Sequence, residues 1–217
     1  ADHTNISISS VSDTANYNDV TITPKAITIS GIVVDDRVYD GGTTSTVQTG
    51  GVDWSTIGRV SGDDLDFDTV TGVFSDKDVS ISSSTIQDKT VTLTSSYTGT
   101  DTGNYEITDQ GTDQAKINQR PVSFVGTLVY DGSTTFTEAK LTSGGLGAVS
   151  GDANSGLAGS ETLGFSASFE DKDHDYSNNY ISSISFTDGS NGGLATNYKY
   201  QSANLGSHDG SLNEVTI

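Results

Sequence analysis

The run Asp171-Lys172-Asp173-His174-Asp175 carries the chain's strongest invitation to metal chemistry. Three carboxylates at alternate positions, followed by Asn178 and Asn179, offer the oxygen donors that a hard cation such as Ca2+ takes on a sharply turned segment. The twelve-residue calcium-loop pattern then fails, because its sixth position is Tyr176 rather than Gly and its twelfth is Ser182 rather than Glu. Asp171, Asp173 and Asp175 therefore stand as a weak Ca2+ candidate, with a solvated turn as the favoured reading and no other cofactor expected. A second acidic set, Asp64, Asp66 and Asp68, alternates with Leu65 and Phe67. On a strand that spacing places the carboxylates on one exposed face and the apolar pair on the other.

Catalysis finds little footing. The three histidines, His3, His174 and His208, occupy no corresponding positions in the internal repeat described below. No nucleophile elbow, phosphate loop, His-Glu-x-x-His or cysteine pair occurs, so no catalytic residue is assigned and a non-enzyme is expected.

Aromatic turns are the other candidates. Tyr39-Asp40-Gly41 follows the charged stretch Asp35-Asp36-Arg37, and Tyr130-Asp131-Gly132 repeats it. In such a turn the Asp can accept from amides ahead of it, the Gly can take positive φ, and the Tyr can bury its ring. Both tyrosines are expected to be fold determinants rather than sugar-stacking platforms. Asn104-Tyr105 and Asn197-Tyr198 are expected to place a buried aromatic where a strand begins. Tyr176, Tyr180, Tyr198 and Tyr200 crowd the second half and keep a glycan-binding face open as an alternative.

These landmarks recur in one order. Val38 to Gly41 returns as Val129 to Gly132 after 91 residues, and the Val-Ser-Gly-Asp at 60–63 returns at 149–152 after 89. Phe74-Ser75-Asp76-Lys77-Asp78 returns as Phe169-Glu170-Asp171-Lys172-Asp173 after 95, and Asn104-Tyr105 as Asn197-Tyr198 after 93. The near-constant offset predicts two copies of one domain, residues 24–120 and 121–217. Residues 1–23 are expected to be the last strands of a preceding copy, since Asn16-Tyr17 leads into Pro24 as Asn104-Tyr105 leads into Pro121.

The elements that must hold these residues are strands. Segments such as Val20-Thr21-Ile22-Thr23, Val79-Ser80-Ile81-Ser82, Val91-Thr92-Leu93-Thr94 and Ile184-Ser185-Phe186-Thr187 alternate apolar with small polar side chains, the pattern of a sheet with one wet face. Residues 52–57 and 136–141 can each hold a short helical turn. The expected fold is mainly β: two tandem β-sandwich-like domains end to end, with a β-grasp-like sheet crossed by a short helix as the competitor. A net charge of −19 disfavours nucleic acid and anionic lipid as partners, and no apolar run approaches membrane-spanning length. The absence of cysteine is compatible with export, because a disulfide-locked fold cannot thread a membrane pore.

The order Ile-x-Pro-Lys-x-Ile-Thr-Ile-x-Gly (22–31), Val-Tyr-Asp-Gly-x-Thr (38–43), Val-Ser-Gly-Asp (60–63), Phe-x-Asp-Lys-Asp-Val (74–79) and Gly-x-Asp-x-Gly-Asn-Tyr (99–105) resembles the YDG-type repeats of large bacterial surface adhesins of the filamentous-haemagglutinin, two-partner-secreted kind. The second copy matches loosely and loses the Gly-x-Asp-x-Gly stretch. The resemblance implies an extracellular, cell-surface location and a non-catalytic shaft role, with neighbouring repeats as partners and surface glycans as the alternative ones.

Overall fold

In a computed structural model the described residues are 21–173 and 181–201, with the short strands Ile6–Ser7 and Val215–Thr216. The fold is mainly β, and no described helix is long and apolar enough to cross a membrane. Packing groups the chain into two compact units. One gathers the described residues up to Asp35 with Thr44–Ser75 and Thr90–Ala115; the other gathers Asp36–Thr43, Asp76–Lys89 and the described residues from Lys116 onward.

In the first unit the Tyr105–Thr108 strand runs parallel to Lys25–Thr28, with Tyr105 opposite Lys25. A three-stranded sheet orders Thr112–Ala115, Lys89–Thr98 and Asp66–Phe74, the last two antiparallel. Along Lys89–Thr98 the side chains alternate buried and exposed, with Val91 and Leu93 inside and Thr90, Thr92 and Thr94 outside. That is the period-2 pattern its sequence carries. Ile27, Leu65 and Tyr105 form a small core, against which Trp54, Tyr97 and Ile107 pack. Trp54 belongs to the four-residue helix Trp54–Ile57. Asp53 caps it by accepting from the amides of Ser55 and Thr56, and hydrogen bonds from both residues hold its carboxyl down at about 2. The second expected helical turn appears as the 3-10 segment Glu138–Lys140.

In the second unit the Arg120–Leu128 strand is flanked by antiparallel Leu141–Gly147 and parallel Tyr198–Tyr200, and also carries Val215–Thr216 in parallel. A second sheet orders Thr135–Thr137, Leu163–Phe169 and Ile181–Asp188, all antiparallel. Phe124 and Leu128 from the first sheet meet Phe136, Phe165, Ala167 and Phe169 from the second in one cluster. Phe124 lies 5.4 Å from Phe136 and 5.5 Å from Phe165, ring centre to ring centre, within the range where aromatic pairs add to plain burial. Burying these rings removes the most apolar surface per residue the unit has to offer, and so fixes how its sheets face.

The segments 36–43 and 76–89 also belong to this unit. Ile117–Asn118 runs parallel to Arg37–Val38, and Ile117 is fully buried. The Tyr-Asp-Gly turn at 39–41 and the Asp-Lys-Asp run at 76–78 thereby belong to the second unit.

Candidate functional site

Both Tyr-Asp-Gly turns are built alike. Asp40 Oδ1 accepts from the Gly42 amide at 2.8 Å, and Asp131 Oδ1 from the Ser133 amide at 2.9 Å. Gly41 and Gly132 sit at φ 84° and 76°, where a side chain is strained. Each Asp also holds a cation, Arg37 for Asp40 and Lys140 at 2.6 Å for Asp131. The Lys140 hydrogen bond and the Ser133 amide draw the Asp131 carboxyl below its ordinary value.

The tyrosines differ. Tyr39 is wholly buried, whereas Tyr130 is 54% exposed and Val129 beside it 71% exposed. The expectation that both rings anchor the core therefore holds for Tyr39 and fails for Tyr130. Tyr39 has a wall of side chains to pack against, whereas Tyr130 stands at the rim of a shallow, open concavity shared with Asp131, Ser133, Lys140, Phe169 and Lys172.

The wall around Tyr39 is a polar cluster. Its hydroxyl donates to Glu161 Oε1 at 2.7 Å, and the Tyr198 hydroxyl donates to Glu161 Oε2 at 2.6 Å. Lys77 Nζ donates to Glu161 Oε1 and to the Tyr39 oxygen, each at 2.8 Å. The two rings meet edge to face at 5.6 Å, and Lys77 Nζ lies 5.4 Å from the centre of the Tyr39 ring. Beside them the wholly buried Asn197 accepts from the Val79 amide and donates to Asp78 Oδ1, both at 2.8 Å.

Burial alone would push the Glu161 carboxyl up; hydrogen bonds from Lys77, Tyr198 and Tyr39 outweigh it and hold the group below its ordinary value. Hydrogen bonding to Glu161 and then Tyr39 raises Lys77. Burial first, and Glu161 next, raises Tyr198; burial raises Tyr39. Every member is thus fixed in the charge state it has at neutral pH, with none poised to exchange a proton there.

The first unit holds the same latch in reduced form. Tyr105 donates to Asp63 Oδ2 at 2.6 Å and accepts from the Val60 amide at 2.9 Å, as Tyr198 accepts from the Ala158 amide at 3.0 Å. Each tyrosine follows a 3-10 turn, Thr102–Asn104 or Ala195–Asn197, and each is buried as expected. Its carboxylate closes a turn, the Asp63 amide bonding the Val60 carbonyl at 3.1 Å and the Glu161 amide the Ala158 carbonyl at 3.0 Å.

This corrects one alignment. The sequence pairs 60–63 with 149–152, and a turn does form there, Asp152 amide to Val149 carbonyl at 3.1 Å. Tyr198, however, reaches past it to 158–161, Ala-Gly-Ser-Glu, after an insertion. Glu161, Lys77 and Asn197 escaped notice as a group because nothing in the residue order signals contacts over 84 to 122 positions.

Of the calcium candidates, Asp171 Oδ1 accepts from the Asp173 amide at 2.9 Å and Asp173 pairs with Lys172 at 2.7 Å. Asp175, like Tyr176, Asn178, Asn179 and Tyr180, lies outside the described residues. Asp64, Asp66 and Asp68 are exposed, with Leu65 buried between them. Among the described residues no three His, Cys, Asp or Glu side chains converge on a point where a metal ion could sit. The four-tyrosine face is also corrected in part: Tyr198 is inside the latch, and Tyr200 packs on the aromatic core, where burial pushes its hydroxyl up to about 12.

Residues 23–115 match the family model of the YDG domain. The match covers the first Tyr-Asp-Gly turn, the 60–63 turn and Tyr105, and ends before the second Tyr-Asp-Gly turn. No curated protein and no solved structure gives a match to the chain.

Proposed function

We propose that the chain is a non-catalytic spacing module from the stalk of an extracellular bacterial adhesin, two tandem sandwich-like β domains that hold a binding region away from the cell during adhesion or biofilm formation. The carrying observation is that the chain's best-organised polar chemistry, the tyrosine–carboxylate latch, is built twice and turned inward both times. A group that serves a ligand faces solvent; these tie the chain to itself. Tyr39 and Glu161 are 122 residues apart, and Asn197 and Val79 are 118 apart, so a pull on the chain must break several short hydrogen bonds together. The YDG-domain match over 23–115 supports the same reading, as does a net charge of −19 that keeps separate strings of such modules from clumping. Pro24 and Pro121 restrict the backbone where each copy begins.

Single-molecule extension of the 217-residue chain tests this. The expected record shows discrete unfolding events that weaken when Glu161 becomes Gln. Smooth, event-free stretching sinks the stalk reading. A second reading, direct contact with glycans, draws on the exposed Tyr130 ring at its concavity. A glycan array with the parent and Tyr130→Ala separates it, since only a sugar platform loses signal with that ring.

A further inference from the structure

The second Tyr-Asp-Gly turn and the second Asp-Lys-Asp run stand side by side, as the first pair does. The shared concavity is lined by Tyr130, Asp131 and Lys172 together. The local turns match as well: Asp76 Oδ1 accepts from the Asp78 amide and Asp171 Oδ1 from the Asp173 amide, both at 2.9 Å. Around the first pair, Glu161 binds the Tyr39 hydroxyl and Lys77, Tyr198 covers the Tyr39 ring, and Asn197 binds Asp78. Around the second, Tyr130 is 54% exposed and Lys172 turns to the adjacent Asp173 in a surface ion pair, an arrangement worth little and easily given up.

The outgoing strand repeats too. Ile117 pairs with Arg37, two residues before Tyr39. Thr216 pairs with Thr127, one residue short of Leu128, which stands two before Tyr130. Chain leaving the second copy is therefore laid beside its Tyr-Asp-Gly turn in the register that leads from Ile117 to Glu161, Tyr198 and Asn197.

We infer that the face formed by Val129, Tyr130, Asp131 and Lys172 is a docking surface for a further copy of this module, which would insert its own equivalents of Glu161, Tyr198 and Asn197 over Tyr130 and Lys172. The contact is head to tail and does not close on itself, the geometry that builds filaments and linear arrays. The occupant follows from chemistry: a carboxylate for Lys172 and the Tyr130 hydroxyl, an aromatic edge for the Tyr130 ring, and a side-chain amide for Asp173. The inference rests on the tandem-module reading above.

The test appends residues 118–217 directly after Ile217 of the full chain and places a lone thiol on the face with Val129→Cys, an exposed position whose equivalent in the first turn, Val38, is half-buried, the parent having no cysteine. Thiol labelling in the extended protein is expected to slow several-fold relative to the 217-residue chain, as covered positions react mainly through opening. Changing the appended copy's Glu161 to Gln should restore fast labelling.

Equal labelling rates with the appended copy folded overturn the inference. An appended copy that stays unfolded overturns it as well, since the same sequence folds behind Tyr39 and Lys77. Equal rates that fall only when a polysaccharide is added assign the face to sugars instead. The extension experiment on the 217-residue chain scores the stalk reading separately, so either idea can fail alone.

Discussion

At residues 39–41 and 130–132 the same tripeptide makes the same turn, with the Asp accepting from the amide two residues on and the Gly at φ 84° or 76°. Around the first, Lys77, Glu161 and Tyr198 enclose the tyrosine completely; around the second, the tyrosine lies at the edge of open space. A motif thus specifies a backbone conformation through residues two positions apart. Whether its aromatic becomes core is decided by residues 38 positions away and more.

Truncation should expose that difference most strongly. Tyr39→Ala removes a buried ring and a hydrogen bond to a buried carboxylate, an expected loss of roughly 3–5 kcal/mol. Tyr130→Ala in the same chain should cost less than about 1 kcal/mol, the usual range for an exposed side chain. Thermal or denaturant melts of the two variants give the comparison directly. Equal losses would mean that Tyr130 is enclosed after all.

Glu161→Gln comes next. It leaves Lys77 beside a neutral amide and puts an amide NH2 where a carboxylate oxygen accepted a hydroxyl hydrogen; with Lys77 partly exposed the loss should be about 2–3 kcal/mol, below that of a fully buried pair. Its counterpart Asp131→Asn breaks a surface pair with Lys140 and should cost about 1 kcal/mol or less.

The same carboxylate gives stability a pH signature. The folded Glu161 value is depressed, so its contribution is present above the unfolded value near ~4.3 and is lost as pH falls through the folded value. Lys77 is raised, so its contribution is present below ~10.4 and is lost as pH rises through its folded value. Glu161→Gln should flatten stability against pH at both ends. A parent-like acid slope in that variant would show that other carboxylates dominate it.

How much of this was legible in the sequence follows from the same distances. Alternation of Thr with Val and Leu along Lys89–Thr98 announces a strand with one wet face, and the structure has it. The Asp-Gly turns, the two short helical turns and the burial of Tyr105 and Tyr198 are local or follow from the repeat, and were readable. Glu161 was not, because an insertion moved it away from the position the repeat predicts, and one acidic residue among 29 carries no mark of being buried. Lys77 carries no local mark of its role either. Its partner is set by packing.

Glycine substitution sharpens the backbone half of the comparison. Gly41→Val and Gly132→Val each force a β-branched residue to positive φ, at about 1–2 kcal/mol from the backbone alone. A Cβ on Gly41 would also meet the Ala158 Cβ and Glu161 Oε1 at 3.8 Å, while one on Gly132 would meet only the Tyr130 hydroxyl at 4.0 Å. The extra methyls of Val have less room at Gly41, so its variant should melt lower, by a few degrees at most. Equal melting would locate the whole cost in the turn.

The smallest effect is expected from a chelator, and it separates the two Asp-Lys-Asp runs from a metal site. At 76–78 the acidic groups are already committed, Asp76 to Lys89 and the Asp78 amide, Asp78 to Asn197. At 171–173 Asp171 accepts from the Asp173 amide, and Asp173 pairs with Lys172 at the surface. A Ca2+ ion present at a hundred times its dissociation constant would add about 2.7 kcal/mol, enough to move a melt by several degrees. With only Asp171 and Asp173 placed among the described residues, and both already hydrogen-bonded, the melting temperature in Ca2+ and in excess chelator should agree within about a degree. A drop of several degrees on chelation, abolished by Asp171→Asn, would restore the calcium loop at 171–175 and make the second run a ligand site where the first is a latch.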